Sequence, residues 1–141
     1  MKILLVLFMI TLSLSAADAK KSAALLGYEN DYKTAIAKAK KEQKMVMMVI
    51  VQDPCPYCDK LVHKTLETPC VKRRIKNYVP LIIDKKAAFP KQFKPPFIPI
   101  TFIVDPETET TSYEIVGALP VQDYIHDLET EMEFRDVQEE Q

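Results

Sequence analysis

The sequence predicts an α/β domain in which buried strands alternate with amphipathic helices. Residues 45–51, MVMMVIV, form a continuous apolar run of strand length, which is typical of a strand buried on both faces. Residues 58–66 and 121–132 place apolar side chains at helical spacing. Two shorter apolar runs, 79–83 and 100–104, indicate further strands. The predicted order of elements is therefore α-β-α-β-loop-β-β-α.

Capping residues predict where the first helices begin. Asn30 and Asp31 can cap a helix whose apolar face is Tyr32, Ala35, Ile36 and Ala39. A second helix is predicted from Pro56, with an apolar face made of Cys58, Leu61, Val62, Thr65 and Leu66. Thr68 with a following proline indicates a new helical start, and this segment is expected to end near Tyr78.

The second half of the chain is predicted to contain more turns and a more exposed strand. Residues 84–97 are rich in proline and lysine, and we expect a loop with about one helical turn. A fourth strand at 113–116 ends at Gly117, and Pro120 starts the last helix. The mostly acidic and polar residues from about 133 to 141 are expected to form a mobile tail.

The start of the chain has the anatomy of a secretory signal peptide. A positively charged start precedes an apolar run at 3–14, and Ala-Asp-Ala at 17–19 matches the small-residue cleavage pattern. The run is shorter than the roughly 20 apolar residues of a membrane span. We therefore expect residues 1–19 to be a signal peptide, cut after residue 17 or 19. Residues 20–141 are then a single exported domain.

Charge and cysteine content restrict the function further. The formal net charge of −1 gives no electrostatic reason to expect a nucleic acid or an anionic membrane as partner. Three cysteines in an exported chain are informative because their number is odd. At least one thiol must be unpaired or must pair transiently.

The spacing of Cys55 and Cys58 suits thiol–disulfide exchange. Two intervening residues bring both sulfurs within disulfide reach where a strand passes into a helix. Cys55 would lie at the helix N-terminus, where unpaired N–H groups and the helix dipole favour a thiolate. Cys58 would lie one turn later on the buried face, where it could resolve a mixed disulfide. Pro56 suits the first helical position, which needs no N–H donor.

A zinc site and a purely structural disulfide are the two other possible uses of the cysteines. A tetrahedral zinc site would need Cys70, His63 and His126 to complete it, and none has a pair-like spacing. A purely structural disulfide between such close cysteines would restrain very little of the chain. On a continuous helix Cys70 would lie about 18 Å from Cys58. We therefore expect it to be a small half-buried residue or, as the sharper alternative, a thiol facing a partner.

These features together resemble the thioredoxin superfamily. Cys-Pro-Tyr-Cys opens a helix after a buried strand, and Ile98-Pro99 enters the strand 100–104 about forty residues later. The resemblance covers residues 28–132 and continues through the turn at 105–106. It implies a thioredoxin fold with a central mixed sheet of four to five strands flanked by helices. It also implies a thiol–disulfide oxidoreductase that uses Cys55 and Cys58 without a metal or cofactor.

The resemblance also implies a substrate-binding surface. In the family the proline is cis and faces the cysteine pair, and the residue before it contacts the substrate backbone. Pro99 and Ile98 would take these roles, with Pro56 and Tyr57 as neighbouring substrate contacts. An ordinary trans proline at a strand start is the alternative that the spacing leaves open.

The sequence departs from the family pattern at three places. Pro54 stands where many thioredoxins carry Trp, and Val49 stands where they bury an acid that moves a proton for the resolving cysteine. A water, Asp53 or Lys60 would have to serve instead. Pro-Tyr between the cysteines matches glutaredoxins, but no Gly-Gly pair follows the third strand to bind glutathione.

By resemblance the leading prediction is a monomeric periplasmic reductase of protein disulfides, served by a membrane thiol electron donor or acceptor. Ile98 favours a reductase, because isomerases of this fold often have Thr there. The alternatives are a disulfide-donating oxidant, an isomerase, a copper-handling protein, and a non-catalytic module that binds extended peptides with a surface around Tyr57, Phe97 and Ile98. The copper-handling protein would combine the cysteine pair with Met45, Met47 and Met48, although core packing is the expected role of these methionines.

Overall fold

The sheet has four strands in the order β2-β1-β3-β4 within residues 18–140, the part of the chain that this computed structural model describes. The strands are β1 (Met45–Val51), β2 (Tyr78–Asp84), β3 (Ile100–Val104) and β4 (Thr111–Val116). β1 pairs with β2 in parallel and with β3 antiparallel, and β3 pairs antiparallel with β4. The mixed sheet predicted from the sequence is therefore confirmed, with four strands.

The helices lie on both faces of this sheet. They are α1 (Ala19–Leu26), α2 (Tyr32–Glu42), α3 (Pro56–Lys60), α4 (Pro69–Ile75) and α5 (Val121–Glu139), with a π-helical segment Leu61–Leu66 after α3 and a 3-10 turn Lys91–Phe93. One core cluster joins α1, α3, α4 and α5 to the sheet, and a second joins α2 and the 3-10 turn to the opposite face. All seven residues of β1 are buried, because helices cover both faces.

Local signals explain most of the helix boundaries. The Asp31 side chain accepts a 2.9 Å hydrogen bond from the Thr34 N–H and caps α2, as predicted. The segment after Thr68 ends at Ile75, earlier than the predicted end near Tyr78. The reason is that Tyr78 begins β2, where it lies opposite Met45 in the parallel pairing.

The sequence reading did not predict α1. The Asp18 side chain accepts from the Lys20 N–H and caps this helix, and Gly27 ends it in the left-handed conformation. Its buried residues are the small Ala19, Ser22 and Ala23, which give no apolar stripe. The predicted signal peptide lies outside the described residues apart from its last two positions.

α5 is longer than the sequence suggested. Residues expected to form a mobile tail from about 133 continue the helix to Glu139. The acidic stretch also contains one buried side chain, Glu131, which is 2% exposed. Its carboxylate accepts hydrogen bonds from the hydroxyls of Tyr78, at 2.6 Å, and Ser112, at 3.3 Å. No helix among residues 18–140 is long and apolar enough to cross a membrane.

The outer edge of β2 is covered by the link between α1 and α2. Glu29 forms an isolated parallel bridge with Leu81. The Glu29 N–H donates to the Pro80 carbonyl at 2.9 Å, and its carbonyl accepts from the Ile82 N–H at 3.0 Å. This link therefore satisfies backbone groups that an edge strand would otherwise expose.

Candidate active site

The cysteine pair lies at the junction between β1 and α3. Cys55 is the N-cap of α3 in an extended conformation, and Pro56 occupies the first turn, as predicted. Cys55 and Cys58 form a disulfide, with their Cα atoms 5.2 Å apart. The Cys58 N–H points at the Cys55 Sγ over 3.1 Å. The helix start therefore directs a backbone donor at the first sulfur, where it would stabilise negative charge.

The two sulfurs differ in their access to solvent. Cys55 is 6% exposed, whereas Cys58 is fully buried in the core cluster that contains α5 and β1. The difference follows from position, because Cys55 caps the helix and Cys58 faces inward one turn later. An incoming sulfur would reach Cys55 first.

Ile98 and Pro99 directly precede β3. The Ile98–Pro99 peptide bond is cis. Pro99 is buried, and the half-buried Ile98 packs against the core cluster that contains both cysteines. The Pro99 carbonyl accepts a 2.9 Å hydrogen bond from the Gly117 N–H. This bond fixes the segment before β3 to the segment before α5.

Two aromatic side chains next to these residues are exposed. Tyr57, between the cysteines, is 67% exposed, and Phe97, before Ile98, is 65% exposed. Pro56 is also exposed. Exposed aromatic side chains are frequent in surfaces that bind other proteins. The predicted substrate-binding residues thus combine exposed side chains at Pro56 and Tyr57 with a more buried pair at Ile98 and Pro99.

The three positions relevant to proton transfer are Val49, Asp53 and Lys60. Val49 is fully buried in β1, in the cluster that contains both cysteines. Asp53 and Lys60 are exposed, and the Asp53–Pro54 bond is a second cis peptide bond that the sequence reading did not predict. Neither charged side chain is therefore enclosed in the core beside Cys58.

Buried hydroxyl groups near β3 were missed in the sequence. Tyr124 falls within the apolar pattern of residues 121–132, but its hydroxyl lies 2.9 Å from the Thr101 Oγ1, and both side chains are fully buried. Burial raises the pKa of Tyr124 above its usual range. The Thr65 hydroxyl, assigned to the apolar face of the second helix, donates to the Leu119 carbonyl at 2.7 Å. Helical spacing alone gives no signal for these distant partners.

The other candidate metal ligands include Cys70, His63 and the methionines of β1. Cys70 is an exposed free thiol on α4, 3.6 Å from an Arg73 guanidinium nitrogen, rather than the half-buried residue first expected. His63 is exposed and lies 2.8 Å from Glu67. Residues 18–140 contain no group of three His, Cys, Asp or Glu side chains arranged to hold a metal. Met45, Met47 and Met48 are buried in β1, which agrees with core packing.

Solved structures share this fold. A thioredoxin from Thermus thermophilus gives a TM-score of 0.65 at 20% identity, covering 73% of this chain and 85% of that one. The C-terminal domain of Neisseria meningitidis DsbD in its oxidised form gives 0.61 at 23% identity, covering 74% and 98%. Its reduced form gives 0.59 at 25% identity, covering 83% and 99%. The predicted thioredoxin fold is confirmed.

Comparison by sequence supports the family through a family model. No curated protein matches this chain significantly. A family model described as thioredoxin-like matches residues 28–106, a range that includes the cysteine pair and the cis proline. Fold, disulfide and family model agree, and the chain belongs to the thioredoxin-like family.

Proposed function

We propose that the protein reduces disulfide bonds in other proteins, with Cys55 as the attacking sulfur and Cys58 as the resolving sulfur. The observation that carries this proposal is the asymmetry of the pair. Cys55 caps α3 beside a backbone donor and is 6% exposed, whereas Cys58 is fully buried. A nucleophile needs access and a stabilised thiolate, and a resolving thiol needs only proximity to its partner.

The exchange proceeds in two balanced steps. The Cys55 thiol releases its proton to solvent, and its thiolate attacks one sulfur of the substrate disulfide, so that a Cys55–substrate bond forms, the substrate S–S bond breaks, and the leaving sulfur takes a proton from solvent. The Cys58 sulfur then loses its proton and attacks Cys55, which forms the intramolecular disulfide and releases the second substrate thiol. The substrate gains two electrons and two protons, and the pair loses them.

The exposed aromatic side chains support a protein as substrate. Tyr57 lies between the two cysteines in the chain and Phe97 directly precedes Ile98, and both offer exposed apolar surface. A protein segment that binds both aromatic side chains would bring its disulfide to Cys55. Burial of the two aromatic side chains would contribute affinity that a small disulfide cannot obtain.

We place this activity in the periplasm, with a membrane thiol protein as electron donor and the mature domain acting as a monomer. The support is the signal-peptide pattern at residues 1–19. An oxidising compartment would otherwise keep the pair in its disulfide form. The DsbD C-terminal domain, which has the same fold, has been solved in oxidised and reduced forms, as expected of a pair that cycles.

The reduction potential of the Cys55–Cys58 pair tests the proposed direction of the reaction. Equilibration against glutathione and dithiothreitol should give a reduction potential of about −270 mV, the value typical of thioredoxin. A potential of about −120 mV would make the protein a disulfide donor instead. A protein without a two-electron couple would be a binding module rather than an oxidoreductase.

Substitution of each cysteine assigns the roles. Reduced Cys58→Ser should accumulate a mixed disulfide between Cys55 and a substrate such as insulin, detected by mass spectrometry. Cys55→Ser should form none. Cys70→Ser is the matched control, because this thiol is exposed but lies on α4, and it should reduce insulin at the wild-type rate. Trapping through Cys58 rather than Cys55 would reverse the assignment.

A further inference from the structure

The helix that carries the cysteine pair is tied to a distant segment by one buried hydroxyl. Thr65 lies in the π-helical segment that continues α3, and it is 2% exposed. Its hydroxyl donates to the Leu119 carbonyl at 2.7 Å, across 54 positions of sequence. A helical threonine commonly bonds back to its own helix, and here the bond leaves the helix instead.

The segment that receives this bond also holds the cis proline. Leu119 lies between β4 and α5, two residues after Gly117. The Gly117 N–H donates to the Pro99 carbonyl at 2.9 Å. Two hydrogen bonds in series therefore connect the cysteine helix to Pro99, through the short segment 117–119. Gly117 has a φ of +87°, a conformation that favours glycine, so this segment has a defined shape.

Other contacts near Thr65 are local or apolar. The neighbouring Thr68 hydroxyl stays local and donates to the Thr65 carbonyl at 2.7 Å. Ala118 and Leu119 pack against the core cluster that contains both cysteines. Apolar packing has no preferred direction, whereas a hydrogen bond requires a particular distance and angle. The Thr65 bond is thus the directional contact among them.

We propose that Thr65 is a positioning residue that sets the gap between the Cys55–Cys58 helix and the Ile98–Pro99 edge, and so the fit of a protein substrate. This inference deepens the proposed function and rests on it. A small disulfide needs access to the Cys55 sulfur alone, whereas a protein segment that binds as proposed also contacts Ile98. Loss of the bond should therefore affect protein substrates selectively.

The test compares Thr65→Val, which removes the hydroxyl at similar volume, with Thr65→Ser, which retains it. Thr65→Val should raise KM for insulin about fivefold, the equivalent of one neutral hydrogen bond, with kcat and the rate toward a small aromatic disulfide unchanged. Thr65→Ser should restore the wild-type KM. Thr68→Val is the matched control, because Thr68 lies just after this helical segment as the N-cap of α4, and the variant loses a hydroxyl but keeps the Leu119 bond.

Amide exchange of Gly117 provides a readout that needs no activity. Thr65→Val should weaken its protection about fivefold, and Thr65→Ser and Thr68→Val should leave it at the wild-type level. Unchanged protection in Thr65→Val, an equal loss toward small and protein disulfides, or failure of Ser to rescue would each overturn the inference. A wild-type protein that reduces neither disulfide would overturn the proposed function, while the exchange data still decide whether Thr65 holds the segment.

Discussion

The Tyr78 hydroxyl donates a 2.6 Å hydrogen bond to the Glu131 carboxylate, which is 2% exposed, and so joins β2 to α5. Burial, and then this hydrogen bond, raise the pKa of Tyr78 far above its ordinary value of 10.0. A raised pKa means that the folded protein keeps this proton after the unfolded chain has lost it. The stabilisation is therefore complete below pH 10.0 and is lost as pH rises above it.

We predict that Tyr78→Phe lowers the free energy of unfolding by about 1–3 kcal/mol at neutral pH, because the buried carboxylate loses its closest donor. The same variant should lose less stability than wild type as the pH rises above 10.0, the ordinary tyrosine value. Urea unfolding at neutral and alkaline pH measures both effects. Tyr57→Phe, at a tyrosine that is 67% exposed, is the control and should match wild type. Parallel pH profiles for Tyr78→Phe and wild type would contradict the prediction.

The start of α1 leads to a prediction about processing. Asp18 caps this helix through the Lys20 N–H, and its carbonyl accepts from the Ser22 N–H at 2.9 Å. A cut after residue 19 would remove both bonds and the buried Ala19, whereas a cut after residue 17 keeps them. For the exported form proposed above, we expect the mature chain to begin at Asp18. Intact-mass measurement of the secreted chain decides this, and a chain that begins at Lys20 would contradict it.

Alanine substitutions at Gly117 and Gly27 separate the stability cost of a positive φ from an effect on activity at Gly117. Gly117 and Gly27 both have positive φ, +87° and +73°, and a Cβ at either position meets no atom within 4 Å. Alanine at either site should cost about 1 kcal/mol of stability from backbone conformation alone. Gly117→Ala should also slow insulin reduction, because alanine disfavours the positive φ at which this backbone N–H reaches the Pro99 carbonyl. Denaturant unfolding and insulin assays of both variants provide the comparison, and equal activity in the two would argue against it.

The cap of α2 predicts a dependence on acid. The backbone N–H of Thr34, followed by its hydroxyl, lowers the pKa of Asp31 below its ordinary value of 3.8. A lowered pKa stabilises the fold above the unfolded pKa, and this contribution is lost as pH falls through the folded pKa. Asp31→Asn, which keeps a capping oxygen, should retain most of the neutral Tm but show a weaker decline in acid. Thermal unfolding across that pH range measures the difference, and an unchanged acid slope would refute it.

The central strands and the cysteine pair could be predicted because their signals are local. β1 is a continuous apolar run, and Pro56 follows Cys55 directly at the start of α3. The sequence reading failed where the signal was weak or distant. α1 buries only small residues, and Glu131 is buried by Tyr78, 53 positions away. Acidic residues at the end of a chain look solvated until their tertiary partner is known.

The same limit applies to the candidate site. The roles proposed for Cys55 and Cys58 follow from their spacing at a helix start. The bond from Thr65 to Leu119 joins residues 54 positions apart, and the bond from Gly117 to Pro99 joins two backbone groups. The pattern of side chains along the sequence does not predict such contacts.

The Glu29 link has a consequence for the behaviour of the protein in a crowded compartment. A foreign strand that approached β2 would need the Pro80 carbonyl and the Ile82 N–H, and both are already bonded to Glu29. Pro80 has no N–H to offer, and the Asn30 side chain occupies the Ile82 carbonyl at 2.6 Å. Such a strand would first have to displace the link. This border of the sheet is thereby protected against the edge-to-edge association that leads to aggregation.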